Sequence, residues 1–345
     1  MKKYLPVVLF LALLIVILYL PFLKNTFVAD DDIGIALNRN IGNLAVVFSN
    51  PLNWLRPFLY FLAFKLGGGL NPFFFRLTNI LAHLGTTIFL YLFLLRVSSK
   101  RFAIATSALF AAHPVLTESV TWISGGSYSL YGFFLMLSLV FYVNGRLDNK
   151  KSYIFYSLIA FIFALFSSEK AVVLPLILIL YEICFSKKAF FIKKNLFIFV
   201  PFFIFSLVIG GLALKALGPR LMVFTKDYYQ QVTGYDPLFQ IPVAISFYLQ
   251  LVFFPLVLTL YHSEIITDPE YITRVVVCVL FFIALIVSFR KSKPFFFGLA
   301  FFLISILPTL NPFGISSLVA ERYVYLGPPV YCFRLFTVSN ICSRN

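Results

Sequence analysis

Three consecutive carboxylates, Asp30, Asp31 and Asp32, follow the first long apolar run of this 345-residue chain. Neighbouring carboxylates raise one another's proton affinity and concentrate negative potential, which suits a general base or a cation site. A divalent cation bound here would use these three residues. Because Asp also caps helices, a solvated turn that opens a helix at Ile33 is the alternative interpretation.

A second group of ionisable residues surrounds a proline. His113 precedes Pro114, and Glu118 follows it, ahead of Trp122. If the proline ends a helix, the imidazole and the carboxylate can face one pocket, and ionisable residues of a membrane segment are functional candidates. The alternative is a capped loop in which Trp122 is an interfacial anchor.

Two further motifs place charges in short turns between apolar runs. Glu169 stands beside Lys170, and Glu321 and Arg322 precede Tyr323. A guanidinium such as that of Arg322 can bind a phosphate or a carboxylate through two hydrogen bonds. The alternatives are an exposed ion pair of little energetic value for the first motif and an interfacial anchor for the second.

Polar residues also occur inside one apolar run. Asn79 and His83 are separated by one helical turn, so on a helix they share a face. Polar groups in an apolar helix need partners from other helices. We interpret this pair as interhelical hydrogen bonding, with substrate binding by His83 as the second interpretation.

The elements that carry these residues are predicted to lie in a bilayer. Hydrophobic residues make up 61% of the chain and charged residues 12%, whereas soluble proteins contain about 45–50% apolar and about 25% charged residues. A soluble globular protein is therefore excluded, and the predicted class is an all-α polytopic membrane protein. About ten or eleven transmembrane helices are expected, over residues 4–23, 73–95, 102–115, 128–143, 153–166, 171–185, 196–217, 274–289 and 295–310, with a weaker one over 323–338 and an ambiguous stretch over 241–262.

We expect one membrane domain over the whole chain. It begins with a transmembrane helix over residues 1–23, which is too long for a signal peptide and lacks a small-residue cleavage site. A long outer loop over 24–71 contains many aromatic residues around Arg56, which indicates a helix lying in the membrane interface. The remaining helices and loops occupy 72–338, and a short tail covers 339–345.

The net charge of +15 gives the orientation. Lys and Arg cluster at the N-terminus and in alternate loops, all of which the positive-inside rule assigns to the cytoplasm. Most Asp and Glu residues then lie on the outer or luminal face. The excess charge is therefore an orientation signal and not a nucleic-acid footprint, and the basic loops concerned are 96–101, 146–151, 187–194 and 290–293.

One stretch conflicts with this orientation unless the chain turns back. A single crossing by residues 241–262 would place the basic loop at 290–293 on the outer face. Pro255 lies inside this stretch. We therefore predict a broken helix or a re-entrant hairpin that returns His262 to the outer face.

The cysteines and the search for common nucleotide-binding or hydrolase motifs give no positive indication of function. The cysteines lack a CxxC pair or a nearby His at zinc spacing, so we expect small buried hydrophobes. No P-loop, HExxH or GxSxG motif occurs in a suitable context, so an ATPase domain and soluble hydrolase chemistry lack support. The four cysteines are Cys184, Cys278, Cys332 and Cys342.

The motifs occur in a fixed order along about residues 27–330. They are Phe27–Asp32 with Asn38, Arg56-Pro57, Asn71-Pro72-Phe73 with Asn79 and His83, His113–Gly125, Ser168-Glu169 with Leu174-Pro175, and Ala320–Tyr323. Together they resemble the transmembrane and tetratricopeptide-repeat O-mannosyltransferase family, which belongs to the GT-C membrane glycosyltransferases. The resemblance implies a GT-C-like fold.

The resemblance also implies an activity. Family members move a sugar, here a mannose-like hexose, from a polyprenyl-phosphate carrier to an acceptor hydroxyl of a protein or lipid on the outer or luminal face. Protein O-glycosylation is the expected outcome, in the cell membrane of a prokaryote or in the endoplasmic reticulum of a eukaryote. The resemblance implies no definite cofactor, and a divalent cation bound by the aspartates is compatible with it.

Residue roles follow from the matching positions. Asp30 or Asp31 corresponds to the catalytic base or acceptor-positioning group, and Arg322 is the candidate for binding the phosphate. The resemblance places the remaining substrate-binding candidates in the same pocket: His113, Glu118, Glu169, Arg56, His83 and Glu321.

Some features depart from the family pattern. Arg76 and Ser168 replace a His and a Lys that the family often has, and no tetratricopeptide repeats follow the last motif. The alternatives are a multispan transporter or lipid flippase, and a truncated, inactive GT-C remnant. A transporter needs its carboxylates near the bilayer midplane, whereas those predicted here cluster at outer helix ends, which favours transfer to an external acceptor.

Overall fold

A computed structural model describes residues 4–50, 52–186, 196–223, 237–260, 262, 267–310 and 319–331. Within these ranges the chain is helical, and the only extended pairing is an isolated antiparallel bridge between His262 and Val319. The predicted all-α class is therefore confirmed for the described residues. Cys332 and Cys342 lie outside them, whereas Cys278 is buried, Cys184 is half-buried and both are free thiols.

The α-helices vary from one turn to seven turns in length. In chain order they are α1 (Leu5–Tyr19), α2 (Leu44–Val47), α3 (Leu55–Leu66), α4 (Pro72–Val97), α5 (Lys100–Ala112), α6 (Thr117–Thr121), α7 (Ser127–Leu147), α8 (Lys151–Ser167), α9 (Leu174–Phe185), α10 (Val200–Val223), α11 (Pro237–Phe253), α12 (Asp268–Lys291) and α13 (Lys293–Ile306). A π-helical turn covers Asp32–Ala36, and short 3-10 turns connect several of the helices.

Helix ends are set by capping residues and prolines. The Asn71 side chain accepts a hydrogen bond from the Phe73 N–H at 3.1 Å, and Pro72 occupies the first position of α4. Helix α5 ends at Ala112 because Pro114 forces an extended backbone on His113. The predicted break after His113 is thus present.

Four helical segments are long and apolar enough to cross a bilayer: Leu5–Lys24, Pro72–Val97, Ser124–Leu147 and Asp268–Lys291. Other apolar helices, such as Lys151–Ser167, are shorter. Fewer segments of the described chain reach this length than the ten or eleven expected, because apolar runs end early at prolines and polar turns. These segments indicate a membrane protein, and its number of crossings and its orientation stay predictions.

Two predicted stretches have contrasting outcomes. Helix α11 ends at Phe253, two residues before Pro255, so the predicted break is confirmed. The expected span over 323–338 is wrong for its described part, where the chain forms two short 3-10 turns, Glu321–Val324 and Pro328–Tyr331. Proline at 328 and 329 prevents a continuous helix there.

Helix α4 lies at the centre of the packing and contacts α1, α3, α5 and α7. Its aromatic residues Phe75, Tyr91 and Phe93 are almost completely buried. Helices α7 and α8 pack closely, and Ser138 and Ser157 each donate a hydrogen bond to the other's carbonyl at 2.7 and 2.8 Å. Such hydroxyl pairs hold apolar helices together where hydrophobic packing alone gives little specificity.

Helices α4, α5, α7 and α8 alternate in direction, so their connections fall at two ends of the bundle. His83 of α4 contacts Ala111 near the end of α5, while Asn79 contacts the turn before α7. One end, called the motif end below, therefore carries residues 71, 113, 118–126 and 167–170. The opposite end, called the basic end, carries the Lys- and Arg-containing connections at 96–101 and 146–151.

A buried ion pair closes the basic end. The Arg146 guanidinium donates to the two carboxylate oxygens of Glu182 at 2.6 and 3.0 Å, and the Tyr142 hydroxyl donates to the same carboxylate at 2.9 Å. The Glu182 side chain is 0% exposed. The pair joins α7 to α9, and its two charges depend on one another because neither is hydrated.

We predict that Arg146→Met destabilises the protein by about 3–5 kcal/mol, because it leaves the Glu182 carboxylate buried without its cation. The double variant Arg146→Met/Glu182→Leu should recover most of the loss, and Tyr142→Phe should cost about 1 kcal/mol. Thermal unfolding of the purified protein in detergent measures all three. If the single and the double variant lose the same stability, an unpaired Glu182 carboxylate is not the cause of the destabilisation.

Candidate functional site

A cleft of about 800 Å³ opens at the motif end. Its lining combines charged, hydroxyl and aromatic side chains from segments that are far apart in sequence. Most volumes of ligand-binding pockets lie between about 300 and 1,000 Å³. The charged residues that line the cleft are Asp30, Arg56, Glu169, Lys170 and Arg322, and the large aromatic ones are Tyr60, Trp122, Tyr128 and Tyr323.

The first two aspartates have different environments. Asp30 is exposed and lines the cleft. Asp31 is 0% exposed, and its carboxylate accepts hydrogen bonds from the backbone N–H of Ser124 at 2.7 Å and of Val28 at 3.4 Å. Asp30 can therefore contact a ligand in the cleft, whereas Asp31 holds the loop that carries Asp30.

The backbone before Asp30 adopts an uncommon conformation. Ala29 has a φ of 51°, in the left-handed region that residues with a Cβ seldom occupy. The Trp122 indole N–H donates to the Val28 carbonyl at 3.2 Å, so the surrounding contacts impose this turn. Such backbone strain persists only where neighbouring structure fixes it, and it occurs often at functional sites.

The aspartates do not converge on one point. The Asp31 carboxylate turns inward to Ser124, while Asp30 and Asp32 are exposed. Among the described residues, no group of three or more His, Cys, Asp and Glu side chains is arranged to hold a metal ion. The three-carboxylate cation site suggested by the sequence is therefore not formed by this arrangement.

Glu118 and Arg322 form a largely buried ion pair beside the cleft. The Arg322 guanidinium donates to one Glu118 oxygen, and the Arg322 backbone N–H donates to the other at 2.7 Å. The guanidinium carbon lies 5.3 Å from the Trp122 ring centroid and 5.1 Å from that of Tyr323. Burial raises the pKa of the Glu118 carboxyl, although the Arg322 charge opposes this shift.

Lys170 lines the cleft but is not among the site residues predicted from the sequence. Its ammonium lies 2.8 Å from a Glu169 carboxylate oxygen, 5.1 Å from the Tyr128 ring centroid and 6.0 Å from that of Tyr323. The Lys170 side chain is 18% exposed, against 46% for Glu169. The Lys170 ammonium is thus held in a mostly buried position, whereas the side chain of its partner Glu169 is almost half exposed. The position of Lys170 next to Glu169, a predicted site residue, was the signal that could have identified it.

Arg56 supports the cleft from helix α3. Its Nε donates to the Tyr60 hydroxyl at 2.7 Å, and its guanidinium also donates to the carbonyls of Ser124 and Ile123. Asp31 accepts from the N–H of the same Ser124. Both backbone groups of Ser124 are therefore hydrogen-bonded to side chains: its carbonyl to Arg56 and its N–H to Asp31.

Arg76 is a second residue beside the cleft turn that is not among the predicted site residues. It is 1% exposed, and its guanidinium donates to four backbone carbonyls, at 2.6 Å for Thr121, 2.8 Å for Asn25, 3.0 Å for Thr26 and 3.3 Å for Leu23. The side chain thereby joins the end of the first helical segment to the turn before α7. Its helical spacing from Asn79 was the signal that could have identified it.

Asn79 and His83 face the interior, as their spacing predicts. Asn79 donates to the carbonyls of Trp122 and Ile123 at 3.0 and 3.3 Å. His83 lies 2.9 Å from the Tyr325 hydroxyl and 3.3 Å from the Ala111 carbonyl. The expected interhelical hydrogen bonds are confirmed, and His83 is not among the residues that line the cleft.

His113 and Glu118, expected to share a pocket, have different partners. The His113 Nδ1 accepts from the Val115 N–H at 3.2 Å, and Nε2 lies 3.0 Å from the Val252 carbonyl. The imidazole therefore joins the end of α5 to α11. Neither His113 nor Glu118 lines the cleft, and Glu118 is connected to it through Arg322.

Glu321 holds the segment that follows α11. Its carboxylate accepts from the Thr259 backbone N–H and lies 3.9 Å from the His262 Nε2. Glu321 is 4% exposed. Burial, together with the Glu118 charge, raises the pKa of the Glu321 carboxyl to about 7, against the opposing effect of the Thr259 hydrogen bond and the Arg322 charge.

This raised pKa predicts a dependence of stability on pH. The contribution of Glu321 is fully present below its unfolded pKa of 4.5 and is lost as the pH rises through about 7. The loss is about 3 kcal/mol at most, from 1.36 kcal/mol per pKa unit. Wild-type protein should therefore lose more thermal stability between pH 5 and pH 8 than Glu321→Gln, and parallel profiles would contradict the raised pKa.

Compared with known protein families, curated proteins and solved structures, the chain shows no match. The resemblance to the transmembrane and tetratricopeptide-repeat O-mannosyltransferases therefore stays a prediction from the motifs.

Proposed function

We propose that the protein is a membrane glycosyltransferase that moves a mannose-like hexose from a polyprenyl-phosphate carrier to an acceptor hydroxyl. The observation that supports this is the cleft itself. It combines an exposed carboxylate, Asp30, with the cationic side chains of Lys170 and Arg322 and with several aromatic faces. These groups meet the separate needs of a base, a departing phosphate and a sugar.

Asp30 would act as the general base. As the acceptor oxygen bonds to the anomeric carbon, the Asp30 carboxylate takes the hydroxyl proton, and the bond between that carbon and the phosphate oxygen breaks. The phosphate leaves with the bonding electrons, so protonation by a strong acid is not needed. Lys170 and Arg322 would stabilise the negative charge that develops on it.

Buried residues would keep these groups in position. Asp31 and Arg56 hold the turn at Ser124 from opposite sides, and Trp122 donates to the Val28 carbonyl just before Asp30. A catalytic carboxylate must be held within a fraction of an ångström of its working position. Asp31 is therefore proposed as a positioning residue.

The aromatic residues suit the sugar. Tyr128 and Tyr323 have ring centroids 5.9 Å apart, and Lys170 lies near both rings. Aromatic rings offer large apolar faces with polar edges, which match the alternating CH and OH surfaces of a hexose. The hexose would lie against these rings, with its phosphate toward Lys170.

The apolar helices suit a lipid-linked donor. The motif end would face the outer or luminal side, with the N-terminus in the cytoplasm, as the basic loops predict. The acceptor is then a protein or lipid hydroxyl on that side, and no nucleic acid is involved. The protein would reside in the cell membrane of a prokaryote or in the endoplasmic reticulum of a eukaryote.

Replacement of the base gives the first test. Asp30→Asn should lower sugar transfer by about 10²–10⁴-fold, the usual contribution of a general base. Asp32→Asn is the matched control, because Asp32 is exposed and does not line the cleft. The measurement is transfer of labelled hexose from a polyprenyl-phosphate donor in purified membranes. Wild-type rates in Asp30→Asn would refute the assignment, and transfer by no variant would favour a transporter or an inactive remnant.

Replacement of the cation tests the phosphate site. Lys170→Gln should slow transfer by about 10²-fold, because one donor to the developing charge is lost. Lys65→Gln is the control, since Lys65 also lies over an aromatic ring, that of Phe61 at 5.5 Å, but not in the cleft. If both variants transfer sugar equally fast in the same assay, Lys170 does not contact the phosphate.

A further inference from the structure

A second cavity, of about 490 Å³, lies between α11 and α12. Its walls are mainly apolar side chains, including Leu249, Phe253, Val277 and Phe281. Polar side chains occur where Gln250, Glu270 and Arg274 line it. The groove is thus amphipathic, with an apolar slot and a charged rim.

The rim contains a paired cation and anion. Arg274 donates to one Glu270 oxygen through Nε at 3.0 Å and Nη2 at 2.8 Å, and through Nη1 to the Gln250 side chain at 3.2 Å. The guanidinium lies 3.2 Å from the centroid of the Phe247 ring. Of its five N–H donors, the described part of the chain uses three in these bonds.

The groove opens where lipid is expected. Helix α12 belongs to a segment long and apolar enough to cross a bilayer, and the groove-lining residues Phe253, Phe254 and Val277 are 44%, 67% and 38% exposed. The charged rim lies in the first turns of this helix, as the headgroup region of a bilayer requires. An occupant must therefore offer an apolar chain and a polar head at one end.

We propose that this groove binds one zwitterionic glycerophospholipid with an ethanolamine head. The phosphate would contact Arg274, the ammonium would contact Glu270, and an acyl chain would lie along Leu249, Phe253 and Phe281. The charge pattern of the rim favours this lipid, because an anionic head would meet the Glu270 carboxylate. A choline head offers no N–H donors to that carboxylate, so it binds more weakly.

The lipid site lies near the cleft but is separate from it. Phe247, under the Arg274 guanidinium, has its ring centroid 6.2 Å from that of His262, which in turn lies 3.9 Å from Glu321. Glu321 precedes Arg322, which lines the cleft. A bound phospholipid would therefore stabilise α11 and α12 beside the cleft, whichever reaction the cleft performs.

Native mass spectrometry of the full chain tests this proposal. Protein in detergent is titrated with lipids that share their acyl chains and differ in head: ethanolamine, choline and glycerol, with polyprenyl phosphate as a fourth ligand. We expect one ethanolamine lipid per chain, bound at least about tenfold more tightly than the other three, a difference of about 1.4 kcal/mol. Equal binding of all heads, or preference for an anionic lipid, would overturn the proposal.

Two kinds of variant locate the site. Arg274→Gln should lower affinity for the ethanolamine lipid at least tenfold. Val277→Trp should abolish binding by filling the slot while Arg274 and Glu270 are both retained, whereas Val279→Trp should bind as wild type because Val279 is 52% exposed and does not line the groove. The tryptophan pair keeps the test valid if Arg274→Gln fails to fold, and unchanged binding by Val277→Trp would refute the site.

Discussion

The turn at residues 121–124 is the constraint on which the motif end depends. Its backbone groups lie among helices, where an unpaired N–H or C=O is costly. Arg76 takes the Thr121 carbonyl, Asn79 takes those of Trp122 and Ile123, and Arg56 takes that of Ser124, while Asp31 accepts from the Ser124 N–H. One short turn is therefore held by side chains from three separate segments.

The glycines that follow this turn are part of the same constraint. A Cβ at Gly126 would overlap the Asn79 amide, and one at Gly125 would come within 2.6 Å of the Glu118 carbonyl oxygen. The close approach of α4 to the start of α7 thus requires a glycine at 126, and the close approach of α6 to the same turn requires a glycine at 125. Because Glu118 also holds Arg322, the same region determines where the cationic side of the cleft lies.

Much of the fold follows from local sequence signals, and part of the site does not. The start of α4 after Asn71 and the ends of α5 and α11 before Pro114 and Pro255 depend on capping and proline geometry, so the sequence predicts them. The different roles of Asp30 and Asp31 depend on which carboxylate reaches the Ser124 N–H, a contact across 93 positions. Because Asp30 and Asp31 are adjacent and identical, the local sequence cannot show which of them makes this contact. The placement of Lys170 over Tyr128 and Tyr323 likewise depends on contacts between distant segments, which the local sequence does not reveal.

The scarcity of charge explains why the cleft stands out. In an apolar bundle, a buried ion is tolerated only when it is paired or bonded to backbone, and Arg76, Asp31 and the Glu118–Arg322 pair satisfy this rule. These side chains replace the water that non-helical backbone would otherwise need. Asp30 is exposed instead, and it lines the same cleft as the cationic side chains of Arg56, Lys170 and Arg322. Charged side chains that line an open cleft add little to the stability of an apolar bundle. Their presence therefore favours binding of a ligand that carries both a negatively charged group and hydroxyl donors.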